Sequence, residues 1–260
     1  MVYPLTEFAV LAGLQASERM RGSVEAFGLA PAIVEVLDTQ GRVGLLSRIL
    51  DPVTPDWVGR SLAAIEALDP DQVDEDYSRH ARALLEIAAR RPGDPGLLVA
   101  ALMHHQILAP GEAMFVDAGC LHAYLHGFAV EVMASSDNVI RGGLTDKFID
   151  VAELVRLIDP DSQPTVMSAP GDGATLPIPV SEFDMATYQS GVAADGVVLA
   201  DGAAHIVLCL TETLTISDSD ATTSLVLKPG EAAWVSATDH ATFTGQGHTV
   251  VVSSTTRSPS

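Results

Sequence analysis

The chain has 260 residues, of which 47% are hydrophobic, and this combination is typical of a globular protein that buries a sizeable core in one or two domains. Thirty-four acidic residues against 14 basic ones give a formal net charge of −20. Such a charge opposes binding to nucleic acid and to anionic membrane surfaces, so we expect neither of them as a partner.

Membrane-spanning and secreted proteins are also excluded by the residue pattern. No apolar run approaches the roughly 18 residues of a membrane-spanning helix, and no basic segment followed by an apolar one marks a secretory signal. We therefore expect a cytoplasmic protein. The two cysteines, Cys120 and Cys209, are too few for a disulfide framework, and the surroundings of Cys120 favour a small core residue.

The N-terminal part of the chain is predicted to be helical. Thr6 can cap a first helix, which would carry Phe8, Leu11 and Leu14 on one side. Proline start signals and apolar stripes at helical spacing indicate further helices downstream. A turn-forming RPGDPG sequence then indicates the end of a helical domain over residues 1–96.

Three histidines near the end of this region do not form a metal motif. His80 lies inside the last predicted helix, where we expect its side chain to be exposed. His104 and His105 follow in an apolar stretch, 97–108, that fits either a short helix or a buried strand. Because adjacent side chains of a strand point to opposite faces, these two histidines are poorly placed to bind one metal ion.

Residues 109–150 carry the strongest signal for function. Two runs of alternating pattern, 121–125 and 128–133, are separated by two residues, which predicts a short β-hairpin. In the register of a two-residue turn, His122 faces Glu131 directly. Directly opposed side chains have Cβ atoms only about 5 Å apart, so the two groups would share a site.

The predicted hairpin has one polar face and one apolar face. His122, Tyr124 and Glu131 share the first face with Met133. The second face is expected to pack against the core and carries Leu121, Ala123, Leu125, Phe128, Val130 and Val132. An imidazole, a phenol and a carboxylate together suit a metal ligand with a proton-transfer group beside it. A lone histidine on a strand is more often solvated or hydrogen-bonded, so the pattern alone leaves both interpretations open.

The same stretch resembles a known family. Gly111, the triplet at 117–119 and His122 are spaced as in the second half-motif of cupin barrels, in which the histidine binds a metal. The sequences GEAMFVDAGCLHAYLHG and VEVMASSDNVIRGGLTDKFIDV resemble the signature region of the type I mannose-6-phosphate isomerases, which are zinc-dependent aldose–ketose isomerases of the cupin superfamily. The N-terminal MVYPLTEFAVLAGL is similar to the family segment that leads into its helical domain.

This resemblance implies functional roles for individual residues. The implied zinc ligand is His122, the implied catalytic residues are Arg141, Glu131 and Tyr124, and the implied substrate-binding residue is Lys147. Asp146 departs from the family pattern, which commonly has proline at that position. The implied substrate is a sugar phosphate, and in this acidic chain Arg141 and Lys147 are the cations of the signature that can guide it.

The resemblance also implies one Zn²⁺ ion per complete active site. A catalytic zinc ion usually has three protein ligands and an open position. The family takes its glutamine, histidine and glutamate ligands from segments that precede the helical domain, and this sequence has no such segments. We therefore expect a C-terminal portion of an isomerase, with the remaining ligands outside this chain and a complementing N-terminal segment as a candidate partner.

The expected fold class is α+β, with cupin halves that are jelly-roll β-barrels. The predicted regions are a helical domain at 1–96, the second half of the catalytic cupin barrel at 97–160, a connector at 161–180 and a degenerate cupin-like β domain at 181–255. Six short strands are predicted between residues 197 and 252, and the polar tail at 253–260 is expected to be disordered.

An internal sequence echo supports the second cupin. PGEAAWVSA at 229–237 parallels PGEAMFVDA at 110–118, but His240 follows one residue earlier than His122 does. Because a one-residue shift moves a strand side chain to the opposite face, we expect no metal there.

The expected activity is the interconversion of mannose 6-phosphate and fructose 6-phosphate through a cis-enediolate. The alternative is a non-catalytic cupin module that binds a sugar or a complementing chain. Half a barrel would expose unpaired strand edges and apolar surface, so this alternative also implies a dependence on a partner.

Overall fold

The computed structural model describes residues 1–135, 139–199, 202–220 and 222–255, so most of the predicted polar tail lies outside the described residues. Within them the chain mixes helices and strands, as an α+β fold requires. The helices are α1 (Ser17–Ala26), α2 (Ala32–Ile49), α3 (Asp56–Glu66), α4 (Glu75–Arg90), α5 (Gly96–Ala101) and α6 (Val151–Leu157). Among the described residues, none of the helices combines the length and the hydropathy that a membrane span needs.

The strands of the described residues form antiparallel sheets. The first sheet, in spatial order, is β6 (Ala129–Glu131), β1 (Val2–Pro4), β4 (Glu112–Phe115) and β7 (Thr165–Ser168), and the second is β3 (Met103–Leu108), β2 (Phe8–Leu14) and β5 (His122–His126). The third is β13 (Ala232–Val235), β10 (His205–Cys209), β15 (Thr249–Ser254) and β8 (Phe183–Tyr188). The fourth is β12 (Ser224–Leu227), β11 (Leu214–Asp218), β14 (Ala241–Gly245) and β9 (Val192–Leu199).

The helix predicted from Thr6 is wrong, because residues 8–14 form strand β2. All seven residues of β2 are buried, and the strand is paired on both edges, with β3 and with β5. A short apolar run of this kind fits a strand that is buried on both faces as well as about two turns of a buried helix, and periodicity alone cannot separate the two.

The predicted hairpin is also wrong. β5 pairs with β2 and β6 pairs with β1, so the two strands lie in different sheets. The chain passes from one sheet to the other at residues 127–128, where the Phe128 carbonyl accepts a hydrogen bond from the backbone N–H of Leu5 at 2.7 Å. Phe128, predicted to pack, has 68% of its surface exposed.

The first two sheets pack face to face around a small apolar cluster. The first sheet contributes Val2, Met114 and Ala129, and the second contributes Phe8, Val10, Ala12, Leu108 and Tyr124. The outer face of the second sheet, with Leu11 at its centre, covers a core formed by the helices. The outer face of the first sheet, with Tyr3 and Ala113, packs against Met185 and Val250 of the third sheet.

The helices predicted after residue 30 agree with the structure in outline, whereas α1 was not predicted. α3 starts directly after Pro55, and the ambiguous stretch 97–108 divides into the end of α5 followed by β3. The prediction that the His80 side chain is exposed is wrong, because only 6% of its surface is exposed. It lies three residues after Tyr77 and four before Leu84 on α4, which places it on the buried stripe of that helix.

All six strands predicted after residue 196 are confirmed, and β8 and β14 are additional. The third and fourth sheets enclose their own core, with Val207 and Phe243 fully buried at its centre. The predicted connector contains β7, which pairs with β4 and so belongs to the first sheet. The boundaries of the four predicted regions stay predictions.

The two similar sequences at 110–118 and 229–237 also share a local backbone structure. Gly111 and Gly230 have φ values of 90° and 87°, which favour glycine, and each lies in the turn that leads into β4 or β13. The following glutamates act alike: Glu112 accepts a hydrogen bond from the N–H of residue 109 at 2.7 Å, and Glu231 accepts one from the N–H of residue 228 at 2.8 Å.

We expect Leu11→Ala to lower the free energy of unfolding by about 2–5 kcal/mol, because Leu11 is fully buried where β2 meets the helical core. Ile107→Ala on neighbouring β3 is the matched control, since Ile107 is 38% exposed, and it should cost about 1 kcal/mol or less. Urea unfolding followed by circular dichroism measures both. Equal costs would contradict a helical core anchored on β2.

Candidate active site

Strand register places three of the predicted site residues on one face. His122 pairs with Ala12 and Tyr124 pairs with Val10 in the second sheet, while Glu131 pairs with Val2 in the first. Directly paired residues share a face of a sheet. Since Ala12, Val10 and Val2 all lie in the apolar cluster between the sheets, the three predicted site residues lie on the faces that the two sheets turn toward each other. His122 and Glu131 are exposed there, and Tyr124 is partly buried.

Tyr124 and Glu131 make direct contact. The Tyr124 hydroxyl donates a hydrogen bond to Glu131 Oε1 at 2.8 Å, and this bond joins the second sheet to the first. The Tyr124 ring is fixed by an edge contact with Phe8, with ring centroids 5.3 Å apart. Burial, the hydrogen bond and the negative charge of Glu131 all raise the pKa of Tyr124 well above its ordinary value. The phenol is therefore a hydrogen-bond donor at physiological pH.

His122 lies beside this pair and is suited to bind a metal. Its ring centroid is 5.6 Å from that of Tyr124. Nδ1 lies 3.1 Å from the Cys120 carbonyl oxygen, which can only accept, so we assign the proton to Nδ1. Nε2 then keeps its lone pair. A backbone carbonyl on one ring nitrogen is the usual outer support of a metal-binding histidine.

Arg141 and Lys147 are not hydrogen-bonded to His122 or Tyr124 in the part of the chain that the structure describes. Both are exposed, in the segment between Glu131 and α6. Across residues 1–135 and 139–199, no hydrogen bond or ion pair joins either side chain to His122 or Tyr124. The structure therefore brings three predicted site residues together and leaves these two on a neighbouring loop.

The loop 139–150 is held against the turn that precedes α5. Asp94 Oδ1 accepts hydrogen bonds from the N–H groups of Gly96, at 2.8 Å, and Leu144, at 3.2 Å. Gly143 lies against Gly96 so closely that a Cβ on Gly143 would come within 2.5 Å of the Gly96 Cα. The Asp94 carboxylate thus fixes both backbone segments.

An ion pair holds the other end of this loop. Asp146, the departure from the family pattern, binds the guanidinium of Arg91, and this contact raises the pKa of Arg91. Arg91 and Asp94 belong to the RPGDPG sequence, which indicated only a turn. An aspartate in a Pro- and Gly-rich turn was the available signal, because its carboxylate can accept a hydrogen bond from the N–H two residues further on.

A complete metal centre is not found among the described residues, because none of their His, Cys, Asp and Glu side chains form a group of three that could hold an ion. His122, with its Nδ1 assigned as the donor to the Cys120 carbonyl, is a candidate for one ligand. The prediction that Cys120 is a core residue is confirmed, since it is 6% exposed, and burial raises the pKa of its thiol.

We expect Glu131→Gln to lower the pKa of Tyr124, because two of its three causes, the carboxylate hydrogen bond and the negative charge, are removed. Burial persists, so the pKa should stay above about 10. Absorbance at 295 nm during alkaline titration measures the change. Glu7→Gln removes an exposed carboxylate and should leave the titration unchanged; an unaltered curve in the Glu131 variant would contradict the contact.

We expect Asp94→Ala to release the loop 139–150, because two backbone N–H groups lose their acceptor. Trypsin should then cleave after Arg141 and Lys147 about fivefold faster, which corresponds to roughly 1 kcal/mol of lost docking. Asp94→Asn keeps an oxygen acceptor and should retain most of the protection. Mass spectrometry of timed digests gives the rates, and identical rates in all three proteins would rule out docking by Asp94.

Comparisons with known proteins agree with the resemblance carried by residues 109–150. No family model matches the chain. The Escherichia coli (strain K12) mannose-6-phosphate isomerase is 32% identical over 255 residues, which cover 95% of this chain and 63% of that protein. The Homo sapiens mannose-6-phosphate isomerase is 35% identical over 165 residues, covering 60% of this chain and 39% of that protein. The chain thus spans less than two thirds of these curated relatives.

Solved structures of the phosphomannose isomerase of Salmonella typhimurium have the same fold. The structure bound to its substrate and a zinc atom has a TM-score of 0.81 and 29% identity, and the match covers 97% of this chain and 65% of that one. A single-substitution mutant of the same enzyme has a TM-score of 0.82 and 30% identity, with 98% of this chain and 67% of that one covered. From this agreement in sequence and fold, the chain belongs to the mannose-6-phosphate isomerase family.

Proposed function

We propose that this chain forms the substrate-side part of a zinc-dependent isomerase that interconverts mannose 6-phosphate and fructose 6-phosphate. The observation that carries the proposal is the Tyr124–Glu131 hydrogen bond beside His122, on the shared interior of two sheets. This arrangement supports an acid–base role for Glu131, an orienting role for Tyr124 and a metal-binding role for His122. Family membership supplies the reaction to which these groups are suited.

Glu131 is proposed to transfer the proton between carbons 1 and 2 of the sugar. A carboxylate oriented by a phenol can take the proton from one carbon and return it to the next, through a cis-enediolate of the substrate. Tyr124 holds one carboxylate oxygen by its hydrogen bond, and the proton transfer is assigned to the other oxygen. Zinc, when bound, would polarise the sugar carbonyl and lower the cost of removing the adjacent proton.

Arg141 and Lys147 are proposed to handle the negative charges. A guanidinium is suited to stabilise the oxyanion that develops on the substrate, and an ammonium is suited to a hydroxyl or phosphate group. The docking of their loop through Asp94 and Asp146 supports this role, because it limits the positions that the two cations can adopt. An anionic substrate needs such local cations in a chain of net charge −20.

His122 is proposed as one ligand of the zinc ion, through Nε2. The remaining ligands are proposed to come from outside this chain, with a complementing N-terminal segment as their source. We further propose that the first and second sheets are a cupin jelly roll, residues 97–160 its second half, and residues 181–255 a degenerate copy. The matched turns at Gly111 and Gly230 support that last assignment.

A non-catalytic module that binds a sugar or a complementing chain is the second candidate. One observation favours it: the part of the chain that the structure describes holds no group of three metal-ligating side chains. Exposed apolar side chains near the cleft, among them Phe128 and Met133, would suit contact with another polypeptide.

Kinetics with zinc separates the two candidates. Fructose 6-phosphate turnover is measured for this chain, alone and with a complementing N-terminal segment, at defined zinc concentrations. Arg141→Ala should lower kcat by about 10²–10³-fold while zinc content stays unchanged, because the guanidinium acts on substrate charge. Arg156→Ala on exposed α6 is the control for loss of a positive charge and should leave kcat unchanged.

Three outcomes would contradict parts of the isomerase proposal. Absence of zinc-dependent turnover under both conditions would favour the non-catalytic module. Unchanged turnover in Arg141→Ala would remove the assigned role of that residue. Stoichiometric tight zinc in the isolated chain would contradict the expectation that the other ligands lie outside it.

A further inference from the structure

A second cluster of basic side chains lies away from the candidate active site. It lines a cavity of about 230 Å³ between α1, α4 and β3. The basic groups around the cavity are Arg19, Arg79, His80, His104 and His105, and the carboxylate on its wall is that of Asp76. The chain has 14 lysines and arginines against 34 acidic residues. Two guanidinium groups beside one carboxylate therefore give this cavity a positive charge, opposite to the net charge of the chain.

The cavity and the candidate active site lie at opposite edges of the second sheet. β3 and β5 flank β2 on its two sides. His105 on β3 pairs with Leu11, which faces the helices, whereas His122 on β5 pairs with Ala12, which faces the first sheet. Neither arginine of the cavity takes part in the proposed isomerisation.

Arg19 is held in position at the cavity. Its guanidinium carbon lies 4.0 Å from the centroid of the Tyr77 ring, and Nη2 lies 3.4 Å from the Asp76 carbonyl oxygen. Stacking on an aromatic ring fixes the plane of a guanidinium and leaves its edge available for hydrogen bonding. Arg19 is therefore oriented before any ligand arrives, which lowers the entropy cost of binding.

The imidazoles of His80, His104 and His105 line the cavity as uncharged groups that can form hydrogen bonds. His80 Nε2 lies 3.0 Å from the Ala100 carbonyl oxygen, and the His80 ring stacks on His105 with centroids 5.6 Å apart. Burial first, and then the charges of neighbouring histidines and Arg19, lower the pKa of His80 to about 3. Burial, and after it the nearby positive charges, also lower the pKa values of His104 and His105. The histidines are therefore neutral at physiological pH, and the charge at the cavity is that of the arginines.

We propose that this cavity is a binding site for a phosphate group, held by the guanidinium groups of Arg19 and Arg79 with the imidazoles of His104 and His105 beside them. Guanidinium forks match the oxygens of phosphate and make charge-assisted hydrogen bonds to them. Inorganic phosphate and the phosphate of an ester share this chemistry. Among the described residues that line the cavity, Asp76 supplies one carboxylate against the two arginines, and Glu86 also acts on His105.

The test is a titration of the full chain with inorganic phosphate, and in parallel with mannose 6-phosphate, in 0.15 M NaCl, where surface attraction is screened within about 8 Å. Histidine ring proton resonances, assigned with single His→Gln variants, report binding. We expect saturable shifts of His104 and His105 and none of His240. Tighter binding of the ester than of inorganic phosphate identifies an ester as the source, and equal binding identifies phosphate alone.

Arg19→Gln with Arg79→Gln should weaken phosphate binding by about tenfold or more, because two charged hydrogen-bond donors are lost. Arg60→Gln with Arg82→Gln removes the same charge from exposed positions on α3 and α4 and should leave the affinity within about twofold. If the first double variant does not fold, as judged by circular dichroism, Arg79→Gln alone should weaken binding at least about threefold.

Absence of saturable shifts would overturn the proposal, as would equal weakening in the two double variants, which would indicate a general charge effect. These results are independent of isomerase activity, since the readout is a histidine shift at β3. Loss of turnover in Arg141→Ala leaves this site untouched, and loss of phosphate binding in the arginine variants leaves the proposed reaction untouched.

Discussion

Burial of β2 on both of its faces is the constraint on which the rest of the structure depends. All seven residues of this strand are buried, and it is paired on both edges. One face carries Leu11 into the helical core, and the other carries Val10 and Ala12 into the cluster between the first two sheets. Because register fixes the face of every partner, β2 aligns His122 and Tyr124 with that inner cluster. Loss of its packing would therefore disturb both the helical core and the alignment of His122 with Tyr124.

The basic side chains of this acidic protein are concentrated at particular places. A net charge of −20 would repel a sugar phosphate at long range. Arg91 is tied to Asp146 and Arg42 to Asp161, so these cations serve to hold loops in place. Other cations lie where an anion could bind, on the loop with Arg141 or around the cavity with Arg19. Short-range, preoriented cations bind phosphate through hydrogen bonds, and these persist where long-range attraction is absent.

The strand face that His122 and Tyr124 share could be predicted from the sequence, but the way in which Glu131 joins them could not. Alternation along β5 correctly grouped His122 with Tyr124, since a strand alternates whatever it pairs with. Glu131 was predicted to reach them through a hairpin, whereas it reaches Tyr124 from the opposite sheet. β1 and β2 pair with β6 and β5 from more than a hundred residues away, and local pattern carries no information about such contacts. The contact of Asp94 with Leu144 escaped prediction for the same reason.

The sequence alone determined the α+β class, six of the strands after residue 196, the positions of most helices and the family, because each rests on local propensity or on a long contiguous signature. Tertiary structure decided which apolar runs became strands and which histidines were buried. The run FAVLAGL fits a helix and a strand equally well until β3 and β5 pair with it. His80 has a polar side chain, for which the sequence predicts exposure. It is buried because α4 packs against α5, where the Ala100 carbonyl forms a hydrogen bond with its ring. In both cases the deciding free energy comes from burial against distant elements, and one segment read by itself cannot contain it.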